Sequence, residues 1–162
     1  MPLISILGFQ TYELFKEKVE IIAKPLIPLT TACTVFSFKI LGIEVDSREN
    51  IITLMTKNGD PLSLSIVADC SGIYSLGAFA VVAILALITY KRFNFREILV
   101  LSVGFIGTYI FNLMRVILIS FIAYYYGWSD KAESAHTQIG WILFGIWMFI
   151  FWYFIYPKYS KN

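Results

Sequence analysis

The chain has 162 residues, room for one domain, of which 58% are hydrophobic and 15% charged, with a net charge of +2. Soluble domains carry roughly a quarter charged residues, so a water-soluble fold of this length is excluded; at a mean hydropathy of +0.72 the chain requires a bilayer as its solvent. The small charge without a basic run excludes a nucleic-acid binder, and two cysteines are too few for a disulfide framework.

Taken in chain order, residues 1–8 are apolar but short, lack a basic leader and run into a charged stretch at 13–20, so no cleavable signal peptide is expected. Residues 11–20 are amphipathic and suit a cytoplasmic interfacial helix or an extension of the first span. A hydrocarbon core of roughly 30 Å needs roughly 20 apolar residues per helix. The first segment to meet this, 21–41, is interrupted by Lys24, Pro25, Pro28 and Lys39; its lysines lie near the ends and can snorkel, and Pro25 suits a first helical turn. Residues 43–69 differ in character. Stretches 43–45, 51–55 and 62–67 alternate apolar with polar residues or are β-branched, separated by 46–50 and by the turn signal Asn58-Gly59-Asp60. They predict a small β-hairpin or three-stranded meander, permitted only outside the lipid core because its edges need water.

A charge-free span follows at 71–90, then the basic connector 91–97 (KRFNFRE), a long span at 98–126, a loop at 127–138, and an aromatic span at 139–156. Basic residues concentrate in 91–97 and in the tail (Lys158, Lys161), whereas 43–69 and 127–138 are acidic on balance. The positive-inside rule then places both termini and the 91–97 connector in the cytoplasm and both acidic loops outside. The expectation is an all-α polytopic membrane protein, a single domain over 1–162, with four transmembrane helices, a small extracytoplasmic β-element before the second, and no internal repeat.

Three residues suggest chemistry. Cys70, in Asp69-Cys70-Ser71-Gly72, falls at the outer face where the second span begins; a helix N-terminus lowers a thiol's pKa, while Asp69 opposes this and calls for a nearby cation. A buried cysteine packing as a small hydrophobe is the competing reading, and it is the one that fits mid-span Cys33. Arg115 interrupts an apolar helix at a cost of at least about 2.5 kcal/mol near the bilayer centre. Thr108 and Asn112 share its helical face at spacings of four and three, which argues for an organised polar site over an arginine snorkelling to lipid phosphate. His136, the sole histidine, precedes the fourth span at the same face and suits proton transfer. One histidine with one outward cysteine does not make a metal set, and no phosphate loop or G-x-S-x-G elbow occurs.

The order Ala68-Asp69-Cys70-Ser71-Gly72-Ile73, Asn112-Leu113-Met114-Arg115, His136-Thr137-Gln138-Ile139-Gly140 resembles the exosortase/archaeosortase family over about 43–147, in a shortened form without the additional spans of many members. The resemblance implies a multi-pass protein of a bacterial or archaeal plasma membrane that acts as a cysteine transpeptidase. Its substrates would be surface proteins with a C-terminal sorting tail of signature motif, hydrophobic helix and basic cluster, and its acceptor membrane-linked. It implies Cys70 as nucleophile, His136 as acid and base, Arg115 on the oxyanion or substrate carbonyl, and Asn112 orienting Arg115. Ser71, Gly72 and Thr108 would support the site, and no cofactor would be required. Water in place of a lipid-linked amine as acceptor, and a non-catalytic transporter or assembly factor binding an anionic lipid or solute through Arg115, are the alternatives. Convergence of Cys70, Arg115 and His136 in one outward-facing pocket is the geometric expectation.

Overall fold

The computed structural model describes residues 18–90, 94–127 and 130–160, without the side chains of 90, 130–137, 159 and 160. Much of the interfacial stretch 11–20 and three residues of the 91–97 connector therefore lie outside the described residues. The described chain is helical except for one three-stranded sheet. Residues 18–23 are helical (α1), and after a turn at Lys24 and Pro25 the helix resumes as α2, Leu26–Ile40. Pro25 stands just before that first turn, where its missing N–H breaks no helical bond. Next come β1 (Val45–Arg48), β2 (Ile51–Met55), β3 (Pro61–Ser65) and a 3₁₀ turn, Ala68–Cys70. Helices α3 (Ile73–Tyr90), α4 (Phe95–Tyr126) and α5 (Asp130–Ile150) follow; α5 continues through a π-helical turn, Phe151–Ile155, into α6 (Tyr156–Ser160).

Two segments, Phe95–Tyr126 and Gln138–Lys158, are long and apolar enough to cross a membrane, and Leu26–Ile40 and Ile73–Thr89 are shorter apolar helices. Their side chains are sorted as a bilayer demands. On α4, Leu99, Val103, Ile106, Ile110, Met114 and Leu118 form an exposed apolar stripe at spacings of three and four, while Thr108, Asn112 and Ser120 are buried. In the N-terminal half of α4 (its lower half, the C-terminal half being the upper), glycines replace bulk. A Cβ on Gly104 would collide with Phe79 of α3 and Phe151, and one on Gly107 with Trp147 of α5. These small residues let the helices approach closely, the usual means of packing where lipid supplies no hydrophobic drive.

The sheet is an antiparallel meander in the order β1-β2-β3. Asn58-Gly59 makes the second turn as expected, with Gly59 at φ +90° and Thr56 N–H bonded to the Asp60 carbonyl at 2.8 Å. The first strand lies later than expected: residues 46–48 are strand, and the reversal is confined to Glu49-Asn50, with Glu49 in the left-handed region at φ 54°. Polar residues suit this strand because it is an outer one whose side chains are largely exposed. Alternation buries Ile52, Leu54, Leu62 and Leu64 against Val35 and Phe38 of α2 and Val116 and Ala123 of α4. Lys57 N–H also bonds the Tyr124 carbonyl at 3.1 Å. The C-terminal turns of α4 thus carry the sheet, which accounts for a helix of 32 residues where roughly 20 span a bilayer.

Candidate functional site

The site is built where the sheet hands over to α3. After β3 the chain makes the 3₁₀ turn Ala68–Cys70, closed by Ser71 N–H to the Ala68 carbonyl at 3.0 Å. Ser71 is fully buried; its hydroxyl donates to the same carbonyl at 2.6 Å and lies 3.4 Å from the Ile73 amide, so its role is to hold the turn. Gly72 follows at φ +86°, and a Cβ there would stand 2.7 Å from Asn112 Nδ2. Both the backbone conformation and the approach of Asn112 therefore require glycine.

Asn112 makes the tie that joins the two motifs. Its Nδ2 donates to the carbonyl of Cys70 at 3.0 Å, across 42 residues of sequence. Asn112 is 3% exposed, and its Oδ1 accepts no hydrogen bond among the described residues. The amide therefore positions Cys70 rather than serving Arg115. Thr108, one turn below, belongs to helix packing: it accepts from Trp147 Nε1 at 3.0 Å and donates to the Gly104 carbonyl at 2.8 Å. The shared polar face is real, but its members divide between two tasks.

Arg115 is half-buried and faces α5, where a Cβ on Gly140 would stand 2.8 Å from its Nε. It lines a cavity of about 330 Å³ between α3 and α5 with Asp69, Gly72, Tyr74, Gly140 and Trp141. Gly140 is a site residue whose use was not evident in sequence, since a helical glycine carries no mark of the side chain that will cross it. Cys70, also half-buried, lines a different cavity of about 330 Å³ between β3 and α4. Among the described residues, then, Arg115 lines one cavity and Cys70 another, with the turn that Asn112 clamps contributing to both. The guanidinium still acts on the sulfur through its charge.

The Cys70 thiol is pushed above its ordinary value of 9.0. Burial is the main cause and Asp69 adds to it, outweighing a backbone hydrogen bond with Val67 and the charge of Arg115, which favour the thiolate. A thiolate promoted by the helix N-terminus was the expectation; α3 begins only at Ile73, and burial wins. At neutral pH the resting group is a thiol, and nucleophilic use of it demands a base. Neither Cys70 nor Cys33 is in a disulfide.

His136 lies within α5, which starts at Asp130, where a loop to 138 was expected. Its side chain is outside the described residues. Its backbone is four residues before Gly140, one turn away on the same helical face.

A family model described as transmembrane exosortase matches residues 4–153. No curated protein and no solved structure matches the chain. The chain belongs to the transmembrane exosortase family, a family of membrane transpeptidase type.

Proposed function

We propose that this exosortase is a cysteine transpeptidase that cuts C-terminal sorting tails of surface proteins at the outer membrane face and passes the new carboxyl end to a membrane-linked acceptor. In this reading four helical segments cross the plasma membrane of a bacterium or archaeon: α1 with α2, α3, α4, and α5 with its continuation. Both termini and the basic connector are cytoplasmic, and the acidic meander stands outside. The observation that carries the reading is the bond from Asn112 to the Cys70 carbonyl, which locks the cysteine turn onto the helix that bears Arg115.

The chemistry follows from a thiol that is neutral at rest. As Sγ of Cys70 attacks the scissile carbonyl and the C–S bond forms, His136 takes the thiol proton. Arg115 stabilises the oxyanion, a contribution of about 3–4 kcal/mol in comparable sites. The C–N bond then breaks, and His136 returns the proton to the leaving amine, which departs with the hydrophobic tail. An amine of the acceptor attacks the thioester, forming a new amide and restoring the thiol; water in its place would yield a free acid. A site at the interface suits a substrate whose tail is itself a membrane helix.

The test is mass spectrometry of membrane-protein C-termini in cells carrying the wild-type chain or Cys70→Ser. Intact hydrophobic, basic-ended tails should accumulate in the mutant, and the mass of the wild-type product separates transfer from hydrolysis. Equal tails in both strains at equal expression would sink the transpeptidase. Binding of an anionic lipid or solute by Arg115 would replace it, a reading favoured by the cavity that Arg115 lines with Tyr74 and Trp141.

A further inference from the structure

The meander has two open edges, and they are not alike. In the β2–β3 ladder Ile66 N–H bonds the Asn50 carbonyl and Thr56 N–H bonds the Asp60 carbonyl, each at 2.8 Å. With Ile52 opposite Leu64 and Leu54 opposite Leu62, the alternation of an antiparallel pair turns the main-chain groups of Leu62 and Leu64 toward β2. Those of Ser63 and Ser65 point away from the sheet, and no backbone hydrogen bond to another loop or helix engages them among the described residues. They form a row of donors and acceptors at a repeat of roughly 7 Å.

The next outward group in that row belongs to Val67, whose backbone hydrogen bond favours the Cys70 thiolate; only an N–H donated to sulfur has that effect. The row therefore ends on the nucleophile. Beside it runs the Cys70 cavity, lined by Ser63, Ser65 and Ile66 and, from α4, by Val116 and Ile119. The opposite edge is blunted: Ser47 N–H is taken by the Asp46 carboxylate at 2.8 Å, between the charges of Asp46 and Arg48.

We propose that β3 is the docking strand for substrate: the segment beside the scissile bond binds as a fourth strand on Ser63 and Ser65 and is delivered along that edge to Cys70. The proposal rests on the transpeptidase reading above. An extended, unstructured peptide is the occupant that fits, because a helix would leave the edge groups unpaired beside an apolar wall. Main-chain bonds supply the affinity, and every second side chain meets the apolar cavity, so selectivity falls on alternate positions.

The test uses the full chain in cells, on the tailed proteins that accumulate with Cys70→Ser. Ser65→Pro deletes an outward N–H, which an edge strand tolerates, together with the exposed hydroxyl that accepts from Asn50 Nδ2 at 3.3 Å, and Ser47→Pro deletes the counterpart N–H on β1. Ser65→Pro should slow processing about tenfold, the weight of one main-chain hydrogen bond at the upper end of its range, while Ser47→Pro processes like wild type and iodoacetamide labels Cys70 equally in both. Wild-type processing by Ser65→Pro overturns the docking edge; if Cys70→Ser still blocks processing, the transpeptidase stands, and if it does not, both fall. Should Ser65→Pro lose Cys70 labelling through misfolding, a disulfide scan decides. Ser63→Cys, with Cys33→Ala and Cys70→Ala, is paired against cysteines placed one by one along a tailed substrate. Cross-links at every second position support the strand. A helical or uniform pattern, or cross-links between two copies of the enzyme, overturns it.

Discussion

The two halves of α4 share one buried polar face and use it for different ends. In the lower half, Gly104, Gly107 and Thr108 bring α3 and α5 close; Thr108 is occupied by Trp147 and by its own helix. In the upper half, Asn112 reaches out of the helix to another element's carbonyl, and Arg115 lines a cavity. The elements that each side chain touches separate them. Thr108 is tied within the helix bundle, whereas Asn112 holds a turn outside it and Arg115 lines a cavity beside that turn. The sheet makes this division possible, because it packs on the C-terminal turns of α4, against Val116 next to Arg115.

The comparison breaks if damage in one half has the signature of the other. Arg115→Met carries the largest expected effect: processing of tailed proteins falls about 100- to 1000-fold, as when an oxyanion donor is lost, while the melting temperature of the detergent-solubilised protein barely moves. A large drop in melting temperature would make Arg115 a packing residue. Gly107→Ala should do the reverse. Its new methyl meets the Trp147 ring, at a cost of about 1–3 kcal/mol in stability, read as a lowered melting temperature. Cys70 in the folded fraction should still react with iodoacetamide at the wild-type rate.

The smallest effects sharpen the upper half. Because burial raises the Cys70 pKa, less thiolate is present at any given pH than in a free thiol, so the alkylation rate should climb with pH without levelling below pH 9.0. Arg115 lowers that pKa and Asp69 raises it. At pH 8, Arg115→Met should therefore slow alkylation and Asp69→Asn should speed it, each by a few-fold. A plateau near neutral pH would mean a resting thiolate and remove the need for a base in the first step.

The membrane character, the small meander and the motif order were legible in the sequence, since each depends on local pattern: apolar run length, alternation with Asn-Gly punctuation, and short spacings. The start of α5 was not. Residues 130–137 are polar enough to read as loop, and they are helical. The first strand was placed too early for a related reason: the polar residues 46–48 read as a turn, and an outer strand accepts them.

By itself the sequence determined that the chain needs a bilayer and that one cysteine, one arginine and one histidine follow in order along its apolar segments; burial cost and helical periodicity act residue by residue. Only the tertiary structure decided that Asn112 holds the Cys70 carbonyl rather than Arg115 and that Thr108 serves Trp147. It alone set Gly140 of α5 against Arg115 and buried the Cys70 sulfur so that it rests as a thiol. Each of these depends on which distant surfaces meet. Hydrogen-bond partners and desolvation are properties of that meeting, and no window of local sequence contains them.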